Sequence, residues 1–150
     1  MSRQWFQPTF RNRLSQDILL ANFSIQYGRF YDISDYLTHF CFPHSIDKIS
    51  ALDNPYNDTS EAGGTRIASM AQHGWGHCGR DGSPSGTEGS FQVLLHGNDE
   101  KIAEIYWESP FSGSNKLEKR YVKSGYSISF DGFNFSSGPL RDGTISIRVD

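Results

Sequence analysis

The sequence lacks both a long apolar segment and a cluster of positive charge. No uninterrupted apolar run approaches the roughly 18 residues that a membrane-spanning helix needs. The 14 basic and 17 acidic residues give a formal net charge of -3 and form no basic block. This argues against nucleic acid as a main partner and against a polybasic membrane anchor. The N-terminal stretch MSRQWFQPTF is polar and aromatic, so we expect a soluble protein released without a signal peptide.

Cysteine is also scarce, because Cys41 and Cys78 are the only two in the sequence. They are enough for one disulfide bond but do not require it, and two buried thiols are the alternative. A bond between them would close a long loop and stabilise the fold by roughly 3–4 kcal/mol.

Glycine and aromatic residues are abundant, with 15 Gly, 11 Phe and 7 Tyr among 150 residues. This composition favours short strands joined by turns. Large residues alternate with period two in residues 23–27, 126–130 and 145–149, as in half-buried strands. Residues 91–95 and 101–107 flank His-Gly-Asn-Asp and predict a hairpin, and residues 65–70 and 72–78 are further candidate strands. We therefore predict one all-β domain over residues 1–150, an antiparallel β-sandwich.

Residues 5–11 also predict a strand, and it contains Pro8. Proline has no N–H to donate to a neighbouring strand. We therefore expect this strand to lie at a sheet edge or to carry a bulge.

Candidate catalytic and metal sites are weak. His73 and His77 stand close to Cys78, but four residues along a strand separate the two rings by about 13 Å, and a full ligand set is missing. The same spacing separates Glu104 from Glu108, and no Gly-x-Ser-x-Gly motif occurs. We expect no catalytic residue, no metal and no cofactor, and a protein that is not an enzyme.

The stretch IYWESPFSGSNK, residues 105–116, mixes large aromatics with turn formers. Trp107 adjoins Glu108, and Phe111 follows a Ser-Pro pair. Aromatic rings suit the boundary between water and lipid, and the polar neighbours suit a lipid headgroup. The same mixture can stack on sugars, so a carbohydrate-binding, lectin-like sandwich is the alternative.

Several separate motifs resemble those of the aegerolysin family. Tyr-Trp-Glu-Ser-Pro-Phe at 106–111 is similar to the family's Tyr-Trp-Asp-Ser-Pro-Trp, and Gly-Thr-Glu-Gly-Ser-Phe at 86–91 to its Gly-Thr-x-Gly-Thr-Phe. The N-terminal third matches at Gln4-Trp5, Ser15-Gln16-Asp17, Asn22 and Tyr27-Gly28-Arg29. Gly143-Thr144-Ile145 resembles the family's C-terminal Gly-Thr-Ile. The resemblance covers most of the chain.

The resemblance implies a β-sandwich that binds membrane sphingolipids, such as sphingomyelin or ceramide phosphoethanolamine, sometimes with a sterol. It also implies a larger partner with a membrane-attack-complex/perforin domain, which makes the pore at the target-cell membrane. Some such pairs kill insects or lyse red cells. By position, the resemblance assigns lipid contact to Trp5, Tyr27, Trp107 and Phe111, and we expect Glu108 with its polar neighbours to meet the headgroup. We expect a monomer or weak oligomer in solution.

Overall fold

The computed structural model describes residues 4–31, 65–79 and 86–150, and these residues form eleven strands. The first six are β1 Trp5–Asn12, β2 Ile18–Tyr27, β3 Arg29–Tyr31, β4 Thr65–Ile67, β5 Gln72–Gly74 and β6 Gly76–Cys78. The other five are β7 Thr87–Leu95, β8 Lys101–Ser109, β9 Lys116–Val122, β10 Tyr126–Asp131 and β11 Arg141–Val149. Within these ranges no helix has the length and apolar character needed to cross a membrane.

The described strands form two sheets, which confirms the predicted sandwich. One sheet has the order β10-β11-β1-β6-β3, with β5 also paired to β1, and the other has the order β4-β2-β7-β8-β9. All pairs are antiparallel except β1 with β11, which run parallel. A parallel pair cannot be joined by a tight turn, and here it brings together strands from opposite ends of the chain.

The predicted strands agree with the observed ones in position. The hairpin of β7 and β8 closes around residues 96–100; β7 alternates buried and half-buried residues from Thr87 to Val93, whereas β8 is mostly buried. The candidate strand at 72–78 is split at Trp75 into β5 and β6.

The expectation that Pro8 marks a sheet edge is wrong. Its strand, β1, lies between β11 and the pair formed by β5 and β6, so it is central. Pairing with β6 covers Trp5 and Phe6, and pairing with β5 resumes at Thr9. The interruption falls beside Pro8, whose carbonyl accepts a hydrogen bond from the Trp75 N–H at 3.2 Å. The sheet thus accommodates the missing donor by breaking the partner strand.

An aromatic cluster fills the space between the sheets. Phe6 stacks on Trp107 with ring centroids 5.2 Å apart, and Phe91 stacks on Phe23 at 5.3 Å. Trp75 meets Phe91 edge to face at 5.3 Å. All five rings are at most 2% exposed. Aromatics from both sheets therefore lock the two layers together.

Cys78 ends β6 and is fully buried. Cys41 lies outside the described residues. Their disulfide bond stays a prediction.

Candidate functional site

Four side chains form a row across one end of the second sheet. Tyr27 pairs with Glu88, Glu88 with Glu108, and Glu108 with Lys116, on strands β2, β7, β8 and β9. Cross-strand partners point to the same face of a sheet. The row therefore presents one aromatic ring, two carboxylates and one ammonium group side by side.

The aromatic end of this row opens into a pocket of about 250 Å³, here called the acidic pocket. Tyr27, Glu88, Glu108 and Phe111 line it together with a floor of Gly86, Thr87, Ser109 and Pro110. Tyr27 is 60% exposed and Phe111 is 44% exposed. Both rings line the same pocket, and grouped exposed apolar side chains, unlike single ones, mark sites of ligand or membrane contact.

The pocket floor is rigid because its polar groups are satisfied inside the protein. The Ser109 hydroxyl donates to Asn115 Oδ1 at 2.9 Å and accepts from the Leu140 N–H at 3.2 Å. The side-chain amide of Gln4 donates to the Pro110 carbonyl. A Cβ added at Gly86 would lie 2.2 Å from the Ser109 carbonyl oxygen, so the chain passes here only as glycine.

Glu88 and Glu108 are two like charges on neighbouring strands. Like charges directly opposite each other on neighbouring strands are destabilising. The Tyr106 hydroxyl donates to Glu88 Oε2 at 2.7 Å, and Lys116 Nζ lies 3.8 Å from Glu108 Oε1. Burial and this hydrogen bond raise the pKa of Tyr106, so its hydroxyl stays protonated and keeps donating. The site holds two negative charges that these neighbours only partly offset.

The guanidinium carbon of Arg120 lies 3.8 Å from the centre of the Tyr106 ring. This cation–π contact holds the ring against the outer face of the sheet. Arg120 therefore helps to orient Tyr106, which in turn orients Glu88.

Trp107, expected to face lipid, is instead in the core and is 0% exposed. Successive residues of a strand point to opposite faces, so Trp107 cannot share the outer face with Glu108. Its indole Nε1 donates to Thr87 Oγ1 at 2.9 Å, and its ring stacks on Phe6. A Cβ at Gly89, opposite Trp107 in register, would lie 2.6 Å from the indole. The lipid-facing assignment of Trp107 is therefore wrong.

The structure gathers three of the five assigned residues, namely Tyr27, Glu108 and Phe111, in the acidic pocket. Trp5 is half-buried at the start of β1 in the other sheet and does not line it. Its neighbour Gln4 contacts the pocket floor, so Trp5 lies at the same end of the sandwich. Its lipid contact stays a prediction.

Glu88 is a pocket residue that the motifs do not single out. Counting back from the turn at 96–99 would place Glu88 opposite Trp107, but a bulge between Val93 and Leu94 shifts the register by one residue, so that Glu88 faces Glu108. The charge pair therefore depends on a bulge that neither the motifs nor a count from the turn predicts.

The two histidines considered as metal ligands lie on separate short strands. His73 pairs with Phe10 and is half-buried, and His77 is fully buried with its ring 5.3 Å from that of Trp107. Burial lowers the pKa of His77 to about 3, so this ring is neutral at physiological pH. Its Nδ1 shares a hydrogen bond with Thr87 Oγ1. His77 is part of the packing beneath the pocket floor.

The fold and the pocket define a two-sheet β-sandwich with an acidic pocket lined by aromatic rings at one end. Residues 3–150 match the family model described as Aegerolysin. The chain belongs to the aegerolysin family.

Known relatives agree with this membership. Aegerolysin Aa-Pri1 from Cyclocybe aegerita is 36% identical over 74 residues, which are 48% of this chain. That match spans about half of the relative, 50% of its length.

Solved structures share the fold. The RahU protein, in complex with a TRIS molecule, superposes with a TM-score of 0.74 at 17% identity, over 98% of this chain and 96% of that one. IP-1A from Alcaligenes faecalis gives a TM-score of 0.72 at 25% identity, over 98% and 91%. The lipid binding protein Nakanori gives 0.50 at 11% identity, over 98% and 70%.

Proposed function

We propose that this chain is a non-catalytic protein that binds a membrane sphingolipid through its headgroup in the acidic pocket. The observation that carries the proposal is the pair of opposed carboxylates, Glu88 and Glu108, flanked by the exposed rings of Tyr27 and Phe111. A positively charged amine placed between them relieves the repulsion of the carboxylates. Aromatic faces add cation–π attraction to the same charge.

The row of charges matches a zwitterionic headgroup. The ammonium group fits between Glu88 and Glu108, and the phosphate fits toward Lys116, whose ammonium is 3.8 Å from Glu108. A primary ammonium has three N–H donors for two carboxylates, whereas a quaternary choline has none. The chemistry of the pocket therefore favours ceramide phosphoethanolamine over sphingomyelin.

Membrane contact supplies the rest of the affinity. If Tyr27 and Phe111 each lose about 100 Å² of apolar surface to the interface, each contributes roughly 2.5 kcal/mol. Association costs are at least of this order, so the rings alone bind weakly. Headgroup recognition and ring insertion must act together, with Trp5 and a sterol as further contributors.

Co-sedimentation with vesicles tests the proposal. The vesicles contain phosphatidylcholine alone, phosphatidylcholine with sphingomyelin and cholesterol, or phosphatidylcholine with ceramide phosphoethanolamine. We expect strongest binding to the last and none to the first. Equal binding to all three, or binding to a glycan array and to no vesicle, contradicts it; the second result points to a lectin-like module.

We further propose that the bound chain is the targeting component of a two-component cytolysin. Its partner would be a larger protein with a membrane-attack-complex/perforin domain, as expected for this family. Release of a trapped dye from ceramide phosphoethanolamine vesicles is the measurement. Leakage should require both proteins. Leakage caused by this chain alone would contradict the proposal that the partner forms the pore.

A further inference from the structure

A second pocket, of about 270 Å³, lies where β1 ends and is here called the arginine pocket. Arg11, Arg13, Met70 and Gln72 line it, along with Asn12 and Ala71. No carboxylate is among these residues. The pocket therefore carries two positive charges and no acid of its own.

The two pockets lie at opposite ends of the sandwich. The β1 strand begins next to Gln4, whose side chain bonds to Pro110 in the floor of the acidic pocket, and it ends at Asn12. Eight extended residues span roughly 26 Å. One protein molecule can therefore bind a ligand in each pocket at the same time, and binding at each pocket can be tested separately.

The backbone beneath the two arginines is fixed. The Asn12 side chain is buried, and its amide donates to the carbonyls of Gln16 at 2.8 Å and of Ile67 at 3.1 Å. The Arg13 N–H donates to the Ile147 carbonyl at 2.9 Å. The side chains of Arg11 and Arg13 therefore extend from a rigid backbone, which limits the entropy cost of ordering them around a ligand.

The charges of the arginines are available. Arg11 Nε donates to Gln72 Oε1 at 3.0 Å, which orients its guanidinium group. In the part of the chain that the structure describes, neither Arg11 nor Arg13 pairs with a carboxylate. The nearby Asp17 is occupied, because it binds Arg66 at 2.6 Å and the Ser69 N–H at 2.8 Å.

The rim of the pocket carries a strained residue. Met70 has a φ of 62° and is 68% exposed. The left-handed region is costly for such a side chain, and strain of this kind concentrates at functional sites. The turn is closed by the Ala71 N–H, which donates to the Ala68 carbonyl at 3.0 Å.

We propose that the arginine pocket binds a phosphate monoester, the dianion that two unpaired guanidinium groups on a rigid turn complement. Guanidinium groups bind phosphate oxygens through paired N–H donors, and two of them balance its two charges. The phosphate can come from a soluble compound or from a lipid with a terminal phosphate.

Two-dimensional amide NMR of the full chain, titrated with glycerol 3-phosphate at constant ionic strength, tests this site. We expect saturable shifts at Arg11, Arg13 and Gln72. The singly charged dimethyl phosphate should bind about tenfold more weakly. Arg11→Gln and Arg13→Gln should each weaken binding about tenfold with unchanged melting temperature. Arg141→Gln removes an exposed arginine elsewhere and should change nothing.

Vesicles of phosphatidylcholine with phosphatidic acid separate the two sources. If the wild type pellets with these vesicles and Arg11→Gln and Arg13→Gln do not, the pocket binds a lipid. If the wild type does not pellet, the pocket binds a soluble phosphate. Amide shifts that do not saturate with glycerol 3-phosphate overturn the proposal. So does a loss of binding in Arg141→Gln as large as that in Arg11→Gln and Arg13→Gln. Sphingolipid binding is measured separately, so its failure leaves this result intact.

Discussion

Glu88 and Glu108 lie directly opposite each other on adjacent strands. Together they form one wall of the acidic pocket, between Tyr27 and Phe111. Such a pair costs stability unless a cation binds between its members. A positively charged ligand between them is therefore expected to stabilise the protein.

Removing the charge of Glu88 or Glu108 should weaken lipid binding without lowering the stability of the fold. Glu88→Gln and Glu108→Gln should each weaken binding to ceramide phosphoethanolamine vesicles about tenfold, because a charge-assisted contact is lost. Thermal stability should stay level or rise slightly, as the repulsion is relieved. Asp142→Asn, which removes an exposed acid from the other sheet, is the matched control for co-sedimentation and melting. Equal weakening in all three variants would show a nonspecific effect of net charge.

Truncating the exposed rings should weaken membrane binding and spare the fold. Tyr27→Ala and Phe111→Ala each remove about 2.5 kcal/mol of apolar contact with the membrane, or more than tenfold in affinity. Tyr121→Ala is the control, because that ring is also exposed, at 41%, but lies on β9 away from the pocket. If Tyr121→Ala loses as much vesicle binding, the interface is not at this end.

Trp107 should behave as a core residue. Trp107→Ala removes a fully buried ring and its hydrogen bond to Thr87, and we expect a loss of roughly 3–5 kcal/mol of stability. Calorimetry should show a melting temperature lower by about 10 °C or more. The milder Trp107→Phe keeps a ring there if the alanine variant does not fold. A vesicle-binding defect in Trp107→Phe with unchanged melting would contradict the core assignment.

The alternation of large residues and the turn-forming residues predicted most of the fold. Where these predictions failed, the failure has a physical cause. The period-two pattern predicted strands at 23–27, 126–130 and 145–149 and the hairpin around 96–99, because each face of a sheet meets a different medium. Pro8 was expected at an edge or a bulge, because the break in its partner strand depends on tertiary pairing that the sequence does not show.

The candidate site was predictable in part. Tyr27, Glu108 and Phe111 converge in the pocket, whereas Trp107, assigned from its polar neighbours and from family position, lies in the core. Applying the same alternation within Tyr-Trp-Glu places Tyr106 and Glu108 outside and Trp107 inside. The hydrogen bond from Tyr106 to Glu88 joins residues that are not register partners, and the pocket volume and the contacts of its floor depend on packing that no local pattern encodes.

His77 makes the fold sensitive to acid, and the direction follows from its burial. Burial lowers the pKa of His77 to about 3, below the value of about 6.5 expected in the unfolded chain. The unfolded state therefore binds the proton first, and the neutral ring's contribution is fully present above pH 6.5 and is lost as pH falls toward 3. The loss is on the order of 1 kcal/mol per pH unit in this window, or about 2 kcal/mol between pH 6.5 and 4.5.

Urea denaturation at pH 7 and at pH 4.5 measures this loss. His77→Gln should reduce the drop in unfolding free energy between the two values, even if the variant is less stable at pH 7. His96→Gln replaces an exposed histidine in the hairpin turn and should keep the full drop. The window lies above the range in which Asp17 titrates, because the Ser69 N–H and Arg66 lower the pKa of that carboxyl. An identical drop in the wild type and His77→Gln would mean that acid acts elsewhere in the protein.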